Sequence, residues 1–522
     1  MKLALAGVGV VVGCTQASTA PPYAGPRPAV TAPGAGAGSA SASSSASASG
    51  SGSVSASGSA AAAALTSGTG PAAASAALAG LPAFPGAEGM GALTTGGRGG
   101  SVCTVTSMAT SGAGTLAACL ATRGPVTIVF ARGGVVQGPI EITRPDVTIA
   151  GHTAPGGVTI AGGLVCDNVY TEGSDCRNLV LRHLRLRAAD GDGLRLGGAR
   201  DVIVDHVSIG GARDEAIEIS RSQRITVQHT LVAEPVGDHW RWGGVLLNYS
   251  TTTAPLDAIS LHHMIWNGVA GRLPEVSCEE NDDAPGSACA GHRIELDLVS
   301  NLLFDVSDPI WHNRCVGTNE GNDCAVSARN VQLGLRLLAN QLVRRSSADE
   351  DAPLIEASVA AVPASTLEVV GNQVCRGARC VAATVPGATS VAIARVGTPA
   401  ITITPADQLA SVLGADAGAW PRDAMDRRVL GYLAGAPGSV DRRPAAWASE
   451  QGIDRGDALV APAADPAPPD GDGDGMSDEW ERARGLDPAA AGASASGAAV
   501  CGAGYTMLEC YLAELDLRRR GR

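Results

Sequence analysis

Three short runs of aliphatic and β-branched residues begin 23 residues apart: Leu179-Val180-Leu181, Val202-Ile203-Val204 and Ile225-Thr226-Val227. Similar runs begin at Val147, Ile259, Ile294, Val331 and Leu367. Bounded by Gly, Asp and Asn, they read as short strands. A repeat of this length signals a solenoid. No helical period of comparable length lies between the runs, so βαβ units are disfavoured. The expectation is a parallel β-helix whose coils pair strand on strand. Longer intervals, 225 to 259 and 259 to 294, mark loops inserted into coils, and such loops are where sites tend to be built. His183, His206 and His229 keep the 23-residue period, and His262 is assigned to the next coil. Stacking at a coil spacing of about 4.8 Å explains one histidine per coil without invoking a metal. The Asp205-His206 pair receives the same structural reading.

Composition narrows the function. Of 522 residues only 17% are charged, 3% are aromatic and 68 are Gly, which argues against an all-α bundle. Lys2 is the only lysine and the formal net charge is −13. A chain this acidic is no general nucleic-acid binder. A polyanionic substrate stays possible if a cation bridges the two.

The N-terminus reads as export machinery. Residues 1–20 form a signal peptide, too short and too early to span a bilayer. Its end, Val11-Val12-Gly13-Cys14, resembles the bacterial lipoprotein cleavage box, which implies a lipidated Cys14 as the sole membrane anchor. Ordinary cleavage near Ala20 is the alternative. Residues 21–80 are an Ala/Ser/Gly/Pro tether with too little apolar surface to fold. Apart from Cys14, twelve cysteines fall into sequence-adjacent pairs: 103/119, 166/176, 278/289, 315/324, 375/380 and 501/510. An even count in an exported chain favours disulfides, and no CxxC suggests zinc. The expected location is secreted or at the cell surface, and the expected state is a monomer.

The segments Ala83-Phe-Pro-Gly-Ala-Glu-Gly-Met-Gly-Ala-Leu-Thr-Thr-Gly-Gly-Arg-Gly-Gly100 and Val147-Thr-Ile-Ala-Gly-His-Thr-Ala-Pro-Gly156 resemble the pectate lyase family of polysaccharide lyases. So do Val204-Asp-His-Val-Ser-Ile209 and Asp214-Glu-Ala-Ile-Glu-Ile219. The resemblance covers roughly residues 82 to 440 and implies an all-β, right-handed, single-stranded parallel β-helix. The expected domains are a β-helix over 81–440, a linker over 441–469 and a calcium-binding tail over 470–522. Fold alone does not fix activity.

Cleaving a uronate chain by β-elimination removes the proton beside a carboxylate, and cations must offset the developing charge. Calcium is a hard cation that can join an acidic protein to an acidic polymer. By resemblance, Asp190 and/or Asp192, Asp214 and Glu218 occupy calcium-ligand positions, with Glu215 between the last two. The family usually has Asp where Glu218 stands. Gly271-Arg272-Leu273-Pro274 matches the family's Arg-x-Pro element, whose arginine is taken as the base. Since a free guanidinium is protonated at physiological pH, Arg272 is held open as base or electrostatic clamp. The family's second arginine is replaced by Ser277, followed by the acidic Cys278-Glu-Glu-Asn-Asp-Asp283. The family's active-site lysine is also absent. Arg241 is nearest that place, and Trp240 and Trp242 are candidates to stack on sugar rings.

The tail carries a second calcium signal. Asp470, Asp472, Asp474 and Asp478 stand at positions 1, 3, 5 and 9 of an EF-hand-like loop, with Gly475 at 6 and Glu481 at 12. It reads as a structural clip, either at the end of the β-helix or after a linker. The stretch around Asp423 is expected to close the solenoid. Two other functions stay open: hydrolysis on the same fold, with Asp190 and Asp192 nominated as the carboxylate pair, and a non-catalytic, calcium-stabilised carbohydrate-binding or adhesion protein.

Overall fold

The computed structural model describes residues 80–169, 171, 173–235, 243–248, 254–269, 271–276, 292–306, 311–312, 331–344, 365–376, 379–385, 389–434, 462 and 466–522. They belong to one compact unit, Gly68–Arg522, while the unit Met1–Ser67 lies outside the described residues, as do the signal segment and Cys14. Among the described residues no helix is long and apolar enough to cross a membrane.

Among the described residues, strands from successive coils pair in parallel into three sheets of ten, seven and ten strands, Arg379–Ala382 alone joining its sheet antiparallel. This is a parallel β-helix. All eight runs expected from the sequence fall in the first sheet. Its register stacks Val147, Leu179, Val202, Ile225, Ile259, Leu296, Leu335 and Leu367 as one aliphatic column. Each is at most 5% exposed. At roughly 25 cal/mol per Å² of apolar surface, such columns are the main driving force for coil stacking.

Charges obey the same period. Arg182 pairs with Asp205 at 2.8 Å, Arg195 with Glu218 at 2.7 Å and Arg224 with Asp201 at 2.5 Å. Each partner lies 23 residues from the other, one rung away.

The glycine-rich opening segment is a strap along the outer face of the first sheet. Its Gly91 and Gly97 amides donate to Thr226 and Thr148 hydroxyls at 2.8 and 2.9 Å. A Cβ on Gly91 would sit 2.3 Å from the Val202 carbonyl, so only glycine permits the approach.

Polar ladders mark the corners. His183 and His206 stack at 5.0 Å, His206 and His229 at 4.8 Å, and His229 and His263 at 5.0 Å. The histidine in the equivalent place is therefore His263, not His262. The register pairs Gln228 with His262, which puts His229 level with His263 and turns His262 to the outer face of the first sheet, where the strap buries it. Farther along, Asn301 donates to Asn340 at 3.0 Å and Asn340 to Asn372 at 2.9 Å, an asparagine ladder.

Two helices, Leu409–Asp416 and Ala424–Leu433, cover the third sheet. Leu409, Leu413, Met425 and Val429 pack on Leu231, Ile265, Leu302 and Phe304. The stretch around Asp423 therefore covers the flank of the solenoid and does not close its end, because those outward aliphatic residues need burial. Asp423 caps the second helix and accepts from the buried Arg187 at 2.7 Å. The tail helix Met507–Arg519 lies across the first coils, joining Met476, Trp480, Tyr511 and Leu512 to Val129 and Ala150. Four expected disulfides form: Cys103–Cys119, Cys166–Cys176, Cys375–Cys380 and Cys501–Cys510. The other two pairs lie outside the described residues.

Candidate active site

The site grows from the seven-stranded sheet. In strand Leu194–Gly197 the leucines point inward and Arg195 outward. Register places Arg195 beside Glu218, then Leu246, then Glu275 on the same outward row. Asp167, one strand earlier, lies opposite Gly197. A Cβ on Gly197 would fall 2.4 Å from the Asp167 carboxylate, so this glycine makes room for that charge.

Loops ahead of these strands add the remaining groups. Asp192 precedes Leu194, and its carboxylate accepts the Glu215 amide at 3.1 Å. Asp192, Glu215 and Glu218 each offer an oxygen within 4.8 Å of the others, and all three side chains are buried. Arg195 answers part of this charge. It contacts Asp167 at 2.7 Å, Asp192 at 3.0 Å and Glu218 at 2.7 Å. Burial and then the Asp192 charge push the Glu218 carboxyl up to about 8. Burial, opposed by Arg195 and aided by Asp214, pushes Asp192 up to about 6. Burial opposes the charge on Arg195, yet Glu218 and Asp192 outweigh it and raise that group. The cluster is thus short of positive charge, and its all-oxygen donor set suits a hard divalent cation.

Arg272 reaches the same group. It is held at φ 57° ahead of the short strand Glu275–Val276. Its carbonyl accepts the Val245 amide at 2.7 Å, and a Cβ on Gly244 would collide with that oxygen at 2.0 Å. The guanidinium contacts Glu215 through Nη1 and Glu275 through Nε at 3.0 Å. Its side chain is 17% exposed, enough to touch a ligand at the surface. Glu215 therefore belongs both to the carboxylate group and to the arginine.

The expected residues divide as follows. Asp192 and Glu218 come together with Glu215. Asp214 is half-buried, and its charge acts on Asp192. Asp190 stands apart: its side chain is 85% exposed and pairs with Arg213 at 3.3 Å. Its turn points it to solvent, so Asp190 joins neither the carboxylate group nor a pair with Asp192. Trp240, Arg241, Trp242, Ser277 and the acidic 278–283 stretch lie outside the described residues. In the tail, Asp470, Asp472 and Asp474 cluster within 4.8 Å. Asp478 instead accepts the Gly471 amide at 2.7 Å and pairs with Arg482 at 3.0 Å, while Glu481 is 1% exposed.

Sequence reading missed Arg195, Asp167 and Glu275. A signal for Arg195 existed, since it precedes Glu218 by one 23-residue coil. Applying the period to charges as well as to aliphatic residues finds it.

No protein-family model matches the chain. A curated protein of Emericella nidulans, named probable pectate lyase C, is 38% identical over 169 residues, which is 30% of this chain and 38% of the relative. Its namesake in Aspergillus fumigatus is 37% identical over 171 residues, 31% of this chain and 39% of that protein. Over that stretch the chain is similar to proteins named probable pectate lyase C. It spans under two-fifths of these relatives' own length. Among solved structures, a pectate lyase from Bacillus sp. N165 in complex with trigalacturonate aligns at TM-score 0.40 and 14% identity, covering 64% of this chain and 99% of that one.

Proposed function

We propose that this protein is a secreted, pectate lyase-like enzyme that cleaves polygalacturonate or a related uronate polymer by calcium-assisted β-elimination. One observation carries the reading: Arg272 is tied through Glu215 to the buried carboxylates Asp192 and Glu218. That juxtaposes a cation-hungry oxygen cluster with a partly exposed guanidinium, the two functions that elimination beside a carboxylate requires. Asp192, Glu215 and Glu218 would hold calcium, with Asp214, whose charge acts on Asp192, proposed as a further oxygen donor. Calcium, when bound, neutralises a uronate carboxylate and makes the adjacent proton more acidic.

Arg195 keeps the carboxylates packed side by side, with Asp167 fixing its other edge. Glu275 and Glu215 orient Arg272 from two sides. From there Arg272 acts on the reacting sugar, either removing its proton or holding the charge that develops. Arg241, Trp240 and Trp242 remain proposed substrate contacts on sequence grounds. Four disulfides suit an oxidising, exported location. Lipidation of Cys14 would keep the enzyme at a membrane surface, and we expect it to act as a monomer.

The test is incubation of the purified mature protein with polygalacturonate, first with calcium and then with a chelator. Ultraviolet absorbance of the unsaturated product is followed. A calcium-dependent rise that disappears in Arg272→Ala is the expected result. New reducing ends without that absorbance mean hydrolysis. Neither signal on several uronate polymers means a binding protein.

A further inference from the structure

The carboxylates of the tail have no part in the chemistry above, and their arrangement points to a separate site. Asp470, Asp472 and Asp474 lie within 4.8 Å of one another. Their loop is wound by its own amides: Gly473 and Gly475 donate to Asp470 at 2.9 and 3.0 Å, and Met476 donates to Asp474 at 3.0 Å. Gly475 sits at φ 89°, the sharp turn that an oxygen-lined loop of this kind needs at its sixth position.

The independent observation is Glu481. It is 1% exposed, and neither carboxylate oxygen has a hydrogen-bond partner. Besides burial, the influences on it are the charges of Asp474, Asp472, Asp470 and Asp478, so it faces the loop. Asp472 also has a buried oxygen, Oδ2, without a partner. Burying an ionised carboxylate unpaired among four others is costly unless a cation joins them.

We propose that Asp470, Asp472, Asp474 and Glu481 bind a calcium ion whose role is to fasten the tail helix onto the side of the β-helix. The Met476 carbonyl, at position 7, would supply a neutral ligand, and Asp478, already engaged by Gly471 and Arg482, would act at most through water. The loop bears directly on the solenoid: a Cβ on Gly475 would meet Val102 at 3.0 Å and Val129 at 3.4 Å. Past the loop, the helix Met507–Arg519 and the Arg520 that follows it make polar contacts with the histidine corner and the Asp416 beside it. His152 meets the Leu512 carbonyl at 3.2 Å, His183 meets Asp516 at 2.8 Å, and Arg520 reaches Asp416 at 2.5 Å. Calcium at the loop therefore holds a clasp that spans the first coils and the covering helices. This site is independent of the elimination reading and stands if that reading fails.

The test uses the full mature chain carrying Asp192→Asn, which weakens the hold of the other carboxylate group on a cation. Terbium is titrated while tryptophan is excited, since Trp480 adjoins Glu481 in the chain. Saturable emission displaced by calcium is expected. It should vanish in Trp480→Phe, and affinity should fall at least about tenfold in Glu481→Gln and in Asp472→Asn. Calcium should raise Tm by roughly 3 °C at a hundredfold excess over its Kd. Amide exchange in residues 507–519 should quicken on chelation. Near-ultraviolet circular dichroism identifies any variant that has merely failed to fold. Terbium binding unchanged in Glu481→Gln would overturn the site. Exchange over 507–519 that is indifferent to chelator would overturn its role as a clasp.

Discussion

Arg272 and Glu215 form an ion pair across two coils of the solenoid, joining the turn before Glu275 to the turn before Ile217. Glu215 shares its carboxylate with the Asp192–Glu218 group. A change at either residue should therefore be felt by both the cation and the arginine.

Arg272→Lys keeps the charge but loses the planar fork that meets Glu215 and Glu275. We expect kcat on polygalacturonate to fall by about a hundredfold or more, with Tm little changed. A steady-state series with parallel melting curves checks this. Near-normal kcat would remove Arg272 from the chemistry. A shifted pH–rate profile in the variant would mark Arg272 as the base, and an unshifted one as a clamp.

Arg195→Gln should act through stability, and calcium should repair part of the loss. Arg195 serves Asp167, Asp192 and Glu218 together. Removing one member of a buried ionic network costs about 3 kcal/mol, since the remaining charges stay buried. Urea unfolding with and without calcium measures both effects. A loss that calcium leaves untouched would mean that the cluster does not bind it.

Asn340→Ala breaks the asparagine ladder in its middle, stranding the Asn301 backbone amide and taking a donor from Asn372 and the Leu298 carbonyl. The expected cost is about 2 kcal/mol for each buried group left unpaired. Activity at low temperature should be normal, because the ladder lies coils away from Arg272. Unfolding curves and a rate assay at 20–25 °C, about ambient, separate the two.

The histidine corner predicts a pH dependence. Burial lowers His183 to about 4, against the raising effect of Asp516, and lowers His263 to about 3, helped by His229. Both stay neutral in the fold while the unfolded chain takes up protons near pH 6.5. Below that pH the unfolded state binds more protons, so stability falls as pH falls. By pH 5 each histidine accounts for about 2 kcal/mol. His206 works the other way: burial opposes its charge, but Asp205 and Asp416 raise it. Asp416 and Asp516 are held below the usual carboxylate range despite burial, by His206, His229, Arg182 and His183, so their contribution is lost only below about pH 4. Unfolding midpoints at pH 7 and 5 should differ, and the difference should shrink in His263→Asn. Equal differences in both proteins would refute this account.

How far the sequence could be read depended on the period. Aliphatic residues 23 apart are rungs, and rungs predict a solenoid, because only stacked coils bury such a column. The four observed disulfides were legible because their partners are close in the chain. Arg272, Asp192 and Glu218 were legible through motifs. Arg195 was not, because an arginine between two leucines on a strand looks like an ordinary solvated residue. Its meaning comes from the neighbouring rung.

The sequence by itself determined the coil, the core and the candidate chemistry, since these follow from local alternation and a fixed spacing. Tertiary structure decided what unequal loops conceal. It chose His263 over His262, because a one-residue offset turns a side chain from one face to the other. It turned Asp190 to solvent and Asp192 into the buried carboxylate group beside Arg195, although a single glycine separates them. It also brought Asp516, at the far end of the chain, onto His183, a contact that only the docking of the tail helix could create.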